Sequence, residues 1–156
     1  MPRIVALDQV ELPCPSPSVF WVLLEVGSYS RWWPEPFRFR VLGPLPAQPG
    51  TRLAAQYGPL IRWVAEISEI EPGKRLGLCY RGAWEGRTAW ELEAPSPECC
   101  LLSYRIDIEP GPLWLRTLQR FAPFDRLHSR EMERVFARLR SYLAERESGK
   151  LRGAIR

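Results

Sequence analysis

The chain has 156 residues, of which 46% are hydrophobic and 26% charged, so it is long and apolar enough to bury the core of one globular domain. Its net charge is +4, and no segment combines arginines with aromatic residues as recognised nucleic-acid-binding motifs do, so we expect no nucleic acid as a partner. No apolar run approaches the ~20 residues that span a bilayer, and the N-terminal residues lack a signal-peptide pattern. We therefore expect a cytoplasmic protein with no membrane span.

The cysteine and histidine content argues against a metal site. Cys14, Cys79, Cys99 and Cys100 show no Cys-x-x-Cys spacing, and His128 is the only histidine in the chain. Free thiols in a reducing compartment are the simplest interpretation. We predict no metal and no cofactor, and nothing in the sequence indicates an oligomeric state.

The first elements in chain order are a strand and two short helices. Residues 3–12 alternate loosely and are rich in Ile, Val and Leu, which predicts a strand. Pro17 suits a first helical turn, and the helix that it opens should end at Gly27. Residues 28–33 then predict a second short helical turn, which Pro34 ends.

Beyond the second helix the hydrophobic pattern changes to period two. Apolar residues alternate with charged, polar or small ones in most of six further segments, most clearly over residues 84–93, as strands with one solvent-facing side do. The six predicted strands cover residues 37–41, 51–57, 61–68, 75–81, 84–93 and 100–108. Together with the first strand they predict a seven-stranded antiparallel sheet with one apolar face.

The C-terminal third is helical in pattern. Residues 113–122 predict a helix that Pro123 breaks or kinks, and a long amphipathic helix should resume near Asp125 and run to about Glu147. Its apolar stripe includes Met132 and Phe136. We expect a single domain over residues 1–148 and a loose tail over residues 149–156. The Pro123 break is a candidate gate.

This order of elements predicts an α+β fold in which a curved sheet wraps around the long C-terminal helix. Three local marks carry a family resemblance: the proline-led helix opening at residues 15–20, the Tyr-x-x-Trp-Trp-Pro at residues 29–34, and the strand–turn–strand at residues 67–76. With them, residues 3–147 resemble the START-like superfamily (SRPBCC, polyketide cyclases and birch-pollen-allergen-like proteins), which has the helix-grip fold. The resemblance implies a cavity between sheet and helix that binds an apolar or aromatic small molecule such as a lipid, quinone or polyketide.

Aromatic and polar residues on the apolar face are the candidate ligand-binding residues. Indoles line or fill such a space, and a buried phenol needs a hydrogen-bond partner, which a ligand, a side chain or water supplies. Trp32 and Trp33 are interpreted either as the lip of the cavity or as core. The candidates are Tyr57, Trp63, Tyr80, Trp84, Thr88, Trp90, Tyr104, Phe121, Met132 and Phe136.

No catalytic motif is present, and His128 and Tyr104 are the only candidates for proton transfer. His128 has the one side chain that ordinarily titrates near neutral pH. Asp125 shares its helical face and would be the orienting carboxylate. The alternative interpretation is a surface histidine at a charged helix start.

Three functions remain open on the sequence alone. The first is a binding protein or carrier for an apolar or aromatic small molecule. The second is a cyclase or dehydratase that acts on a polyketide-like substrate in the same cavity. The third is a protein-interaction module with a filled core and an exposed apolar edge near Trp32 and Pro36.

Overall fold

One antiparallel sheet of seven strands forms the larger layer of the fold. The computed structural model describes residues 3–155, with side chains as far as residue 149. The strands are β1 (Ile4–Leu12), β2 (Phe37–Gly43), β3 (Arg52–Tyr57), β4 (Ile61–Glu71), β5 (Arg75–Gly82), β6 (Trp84–Ser96) and β7 (Cys99–Pro110). They lie in the order β1-β7-β6-β5-β4-β3-β2, so only β1 is out of sequence order. The predicted α+β architecture and its seven strands are confirmed.

Four helices complete the fold. Between β1 and β2 lie α1 (Ser16–Leu24), a 3-10 turn (Val26–Ser28) and α2 (Tyr29–Trp32); after β7 follow α3 (Leu113–Gln119) and α4 (Phe124–Ile155). The predicted break at Pro123 separates α3 from α4.

Two predicted helix ends are wrong. The first C-terminal helix stops at Gln119 rather than Ala122, and the long helix continues past Glu147 to Ile155. Gly149 therefore lies within the helix and does not end it. A glycine inside a helix lowers its stability by only about 1 kcal/mol. Arg156, the last residue of the predicted tail, lies outside the described residues. No helix among the described residues is long and apolar enough to cross a membrane.

The core lies between the apolar face of the sheet and α4. Inward residues of β7, such as Leu102 and Ile106, are almost completely buried, as are Val135 and Leu139 of α4. Each such side chain contributes about 1.5–3 kcal/mol by leaving water. The alternation that predicted the strands thus also predicts which side α4 covers.

Cross-strand ion pairs cover the outer face of the sheet. Glu91 of β6 accepts from Arg105 of β7 at 2.9 Å and lies 3.3 Å from Arg75 of β5. Because these side chains are partly exposed, each pair stabilises the sheet by only a few tenths of a kcal/mol.

Two arginines of α4 hold the segment around α2 against the long helix. The guanidinium of Arg138 donates to the carbonyls of Trp32 (3.1 Å) and Arg31 (3.2 Å), and Arg134 donates to the carbonyl of Glu35 (2.8 Å). These bonds satisfy carbonyls that the end of α2 leaves without helical partners. Of the two residues of the predicted exposed edge, Trp32 is fully buried, which makes that part of the prediction wrong, whereas Pro36 is exposed.

Several large hydrophobic side chains are exposed on α3 and in the turn that follows it, besides others elsewhere such as Trp21 and Leu60. Leu113 is 78% exposed and Phe121 84% exposed, and Trp114 and Leu118 are each nearly half exposed.

Candidate functional site

A cavity of about 150 Å³ lies between the apolar face of the sheet and the first three turns of α4. Its walls are mostly apolar, and every strand contributes to them. Eight of the twelve residues proposed from sequence, counting His128 and Trp33, line it: Trp33, Tyr57, Trp63, Tyr80, Trp84, Tyr104, His128 and Met132. Residues that the sequence did not single out complete the wall: Ile4, Phe37, Ile61, Ile106, Ile108, Phe124, Leu127 and Glu131.

Four candidate ligand-binding residues lie outside the cavity wall. Trp90 and Phe136 are core residues, 1% and 6% exposed, and their rings pack against each other at 6.5 Å. Thr88 is buried beside the wall rather than in it. Phe121 points into solvent because α3 has already ended before it.

The two adjacent tryptophans have different roles. Trp32 is core, with its ring 6.3 Å from that of Trp90, and its indole N–H donates to Ser28 at 3.2 Å. Trp33 is also buried, but it contributes to the cavity wall and packs edge-on against Phe37. Both sequence interpretations thus hold, each for one of the two residues.

A pair of tyrosine hydroxyls forms the main polar feature of the cavity. Tyr80 of β5 and Tyr104 of β7 both line it, and their hydroxyl oxygens are 2.7 Å apart. One hydroxyl proton is used in this bond, so the other is available to a further acceptor. The register of the sheet explains why the two hydroxyls are in contact, because only Thr88 of β6 lies between the two tyrosines on this face.

Two buried polar atoms beside the tyrosine pair have no well-formed hydrogen bond: the hydroxyl of Thr88 and the indole N–H of Trp63. Both groups lie close enough to Tyr80 to oppose part of the rise that burial causes in its pKa. Burial also raises the pKa of Tyr104 well above its ordinary value. Both phenols therefore remain protonated at neutral pH and serve as hydrogen-bond donors.

A second polar group lies on the side of β3. The hydroxyl of Tyr57 donates to Glu131 of α4 at 3.2 Å, and Arg134 donates to the same carboxylate at 2.8 Å. Burial, followed by the negative charge of Glu131, raises the pKa of Tyr57. Tyr57 is thus already committed to a side-chain partner.

His128 contacts the carboxylate of Asp8, a residue that the sequence did not single out. Nε2 of His128 lies 3.3 Å from Oδ2 of Asp8, and the two side chains are 21% and 15% exposed. Neither atom has a well-aligned hydrogen bond. The predicted partner Asp125 is exposed, so both the Asp125 pairing and the surface-histidine interpretation are wrong.

Asp8 is held ionised in this half-buried position. The neighbouring imidazole of His128 lowers the pKa of the Asp8 carboxyl below its ordinary value, against the opposing effect of burial. The alternation of β1 contained the signal for this residue, because Asp8 shares the inward face with Ile4 and Leu12. An acidic residue on an apolar strand face marks a position that needs a partner.

All four cysteines are free thiols. Burial raises the pKa of Cys100 to about 11, so this thiol is not a nucleophile at neutral pH. Within the described residues, no group of three or more His, Cys, Asp or Glu side chains is arranged to hold a metal ion.

Known protein structures share this fold at low sequence identity. No family model matches the chain, and no curated protein sequence does. A START superfamily protein from Mycobacterium smegmatis has a TM-score of 0.70 at 14% identity, over 90% of this chain and 97% of that one. An aromatase/cyclase from Streptomyces sp. R1128 has a TM-score of 0.75 at 13% identity, over 92% and 95%.

Norcoclaurine synthase from Thalictrum flavum, solved in complex with dopamine and hydroxybenzaldehyde, has a TM-score of 0.66 at 9% identity, over 92% of this chain and 87% of that one. At these identities the likeness establishes the fold. The chain has the START-like helix-grip fold, as the sequence resemblance predicted.

Proposed function

We propose that this protein binds a small aromatic molecule that carries an oxygen substituent, with its ring between the apolar walls and its oxygen at Tyr80 and Tyr104. The observation that carries the proposal is the hydroxyl pair, 2.7 Å apart, in an otherwise apolar cavity. Ligand sites commonly combine apolar walls with a few polar groups that fix orientation.

The size of the cavity favours a ligand of one or two rings. A dry apolar cavity of about 150 Å³ in another protein accommodates benzene, and this cavity has about the same volume. Long-chain lipids need several times that space. Of the ligand classes that the START-like resemblance implies, small aromatic or quinone-like molecules fit better than lipids.

The polar end of the cavity favours a carbonyl or phenol oxygen. The tyrosine pair has a spare hydroxyl proton, and the Trp63 N–H beside it has no well-formed hydrogen bond. Both offer hydrogen bonds to a ligand oxygen, and leaving such donors unpaired in a buried site costs about 1–3 kcal/mol. A hydrocarbon of the same shape would leave them unpaired.

The names of two structural neighbours point to aromatic molecules. One is named as an aromatase/cyclase, and norcoclaurine synthase was solved with dopamine and hydroxybenzaldehyde, which are oxygen-bearing single-ring aromatics. At 9–13% identity they support the ligand class only by analogy. The free thiols fit a reducing compartment, and we place the protein in the cytoplasm.

The experiment compares two probes of the same shape, 2-indanone and indane, by isothermal titration calorimetry or by NMR shift titration. We expect 2-indanone to bind more tightly, and Tyr104→Phe to weaken its binding about five- to tenfold, as the loss of one hydrogen bond does. Indane affinity should not change in this variant. Tyr57→Phe, which removes a hydroxyl already bonded to Glu131, serves as the matched control.

Two results would overturn the proposal. One is that neither probe shifts the resonances of cavity residues. The other is that Tyr104→Phe weakens the binding of indane as much as that of 2-indanone, since the hydroxyl would then contribute packing rather than recognition.

A further inference from the structure

We propose that Asp8 and His128 form an acid–base pair that transfers protons to and from a carbon next to the carbonyl of a ligand in the cavity. This inference rests on the proposed function, because it requires an aromatic ketone held at the tyrosine pair. It adds a chemical activity to a site that we otherwise propose only as a binding site.

The pair lies at the cavity rather than on the surface. His128, in the second turn of α4, is part of the cavity wall. Asp8 approaches it from the inward face of β1, with 3.3 Å between Oδ2 and Nε2. A carboxylate removed from water is stable only beside a hydrogen-bonding or charged partner, and the imidazole is that partner here. The interaction therefore also fixes the orientation of the ring.

The contact with Asp8 assigns different roles to the two ring nitrogens. A carboxylate beside Nε2 favours the tautomer that has its proton there, which leaves the lone pair on Nδ1. Nδ1 is then the atom that accepts a proton. When it does, the Asp8 carboxylate stabilises the resulting imidazolium. Asp8 Oδ2 and His128 Nε2 do not form an aligned hydrogen bond with each other, and catalytic hydrogen bonds often become well aligned only when substrate is bound.

The tyrosine pair is close enough to act on the same ligand. The ring centroids of Tyr104 and His128 are 6.0 Å apart, and the Tyr104 hydroxyl is in turn bonded to Tyr80. Tyr104 and His128 therefore lie next to each other in the cavity wall. A base on one side and a hydrogen-bond donor at the carbonyl oxygen on the other are what proton removal next to a carbonyl requires.

The charged groups around His128 come from three elements. Asp8 faces it from β1, the neutral phenol of Tyr104 from β7, and Glu131 from one turn further along α4. Arg126 and Arg130 flank it on α4 and are exposed. Of these charged groups, Asp8 is the one in direct contact with the imidazole, with 3.3 Å between Oδ2 and Nε2.

The proposed step is balanced without a co-reactant. The lone pair of His128 Nδ1 takes a proton from the carbon next to the carbonyl, and the electrons of that C–H bond form a carbon–carbon double bond. The carbonyl π electrons move to oxygen, where a tyrosine hydroxyl donates a hydrogen bond to the enolate. The imidazolium then returns a proton to carbon, at the same or a conjugated position.

Deuterium exchange tests this step without knowledge of the natural substrate. The probe is 2-indanone in buffered D2O, and proton NMR follows the loss of its CH2 signals with and without protein. We expect exchange above the buffer rate that saturates with probe concentration. His128→Gln should lower kcat about 100-fold, as the removal of a general base does, with little change in KM.

The variant Asp8→Asn tests whether Asp8 positions the imidazole of His128 for catalysis or only stabilises the fold. We expect at least a tenfold loss in kcat, together with a shift of the acidic limb of the pH–rate profile to lower pH, because the imidazolium loses its carboxylate. Asp125→Asn, which changes an exposed acid on the same helix, should leave both the rate and the profile unchanged. An unchanged profile in Asp8→Asn would overturn the role of Asp8.

The outcomes distinguish the two proposals. If 2-indanone binds with an affinity that depends on Tyr104 but the protein does not accelerate exchange, or if His128→Gln exchanges at the wild-type rate, the acid–base pair is refuted and the binding function stands. If 2-indanone does not bind, both proposals fail.

Discussion

Nε2 of His128 lies 3.3 Å from Oδ2 of Asp8, although the two residues come from opposite ends of the chain. β1 supplies the carboxylate and α4 supplies the imidazole, and these two elements are in contact. His128 and the tyrosine pair line the same cavity, and Asp8 contacts His128 from the inward face of β1.

The Asp8–His128 contact should make the stability of the protein depend on pH in the acid range. Because the folded-state pKa of Asp8 lies below its ordinary value, the contact stabilises the fold above about pH 3.9. Its contribution is lost as the pH falls below that value through the folded-state pKa. We expect Asp8→Asn to lower the free energy of unfolding by about 1–2 kcal/mol at pH 7.

Urea denaturation between pH 3 and pH 7 measures this difference. The gap between wild type and Asp8→Asn should close towards pH 3, whereas Asp125→Asn should follow wild type throughout. A gap that stays constant over the whole range would contradict the prediction.

Filling the cavity should abolish ligand binding without unfolding the protein. Ile108 lines the cavity at the end of β7, away from Asp8. Ile108→Trp should lower the affinity for 2-indanone more than tenfold, and overpacking should cost about 1–3 kcal/mol of stability. Val5→Trp adds the same side chain at a position on β1 that is 65% exposed, and it should leave binding intact. Calorimetry measures the affinity of the two variants for 2-indanone, and thermal unfolding measures their stability.

Gly86 should be intolerant of substitution. It pairs with Tyr80 on one side and Ile108 on the other, has a φ of +139°, and a Cβ there would lie 2.2 Å from the carbonyl oxygen of Asp107. Gly86→Ala should therefore destabilise the protein by at least about 2–3 kcal/mol.

Gly27 provides the comparison for Gly86. A Cβ at Gly27 meets nothing within 4 Å, so Gly27→Ala should be neutral or slightly stabilising. Chemical denaturation of both variants gives the two values. Equal effects at the two glycines would show that the backbone at Gly86 relaxes.

The break before α4 should exchange amide hydrogens faster than the rest of that helix. Pro123 separates α3 from α4, and Phe124, the next residue, belongs to the cavity wall. The first amides of a helix lack helical acceptors, and local opening there needs few contacts to break. Hydrogen-exchange mass spectrometry should show fast exchange over residues 120–124 that 2-indanone slows. Uniform exchange along α4, with or without the probe, would refute Pro123 as a gate.

Period-two patterns predicted the sheet and its inward face, and the proline at position 123 predicted the break between α3 and α4. The patterns could not separate lining residues from core residues. The distinction depends on how closely α4 packs against the sheet. The first turns of α4 border the cavity beside Tyr104, whereas Phe136, further along α4, packs on Trp90.

His128 shows the other limit of the sequence. Local spacing suggested Asp125, three residues away on the same helix, because spacing within a helix is all that a single sequence offers. The true neighbour, Asp8, is brought in by strand pairing across the whole chain. The alternation of β1 predicts that Asp8 lies on the inward face, but nothing in the sequence predicts that its partner is His128.

The sheet order also has a consequence for how the chain acquires its structure during synthesis. β1 lies at the edge of the sheet and its partner is β7, so Ile4 pairs with Ile108. The ribosome releases β1 long before β7 exists, and a strand with unpaired backbone groups is prone to associate with other chains. Such distant pairing slows folding. Nascent chains that stop before residue 99 should therefore recruit chaperones, and the carboxylate of Asp8 should reach its histidine only after translation of this chain has passed α4.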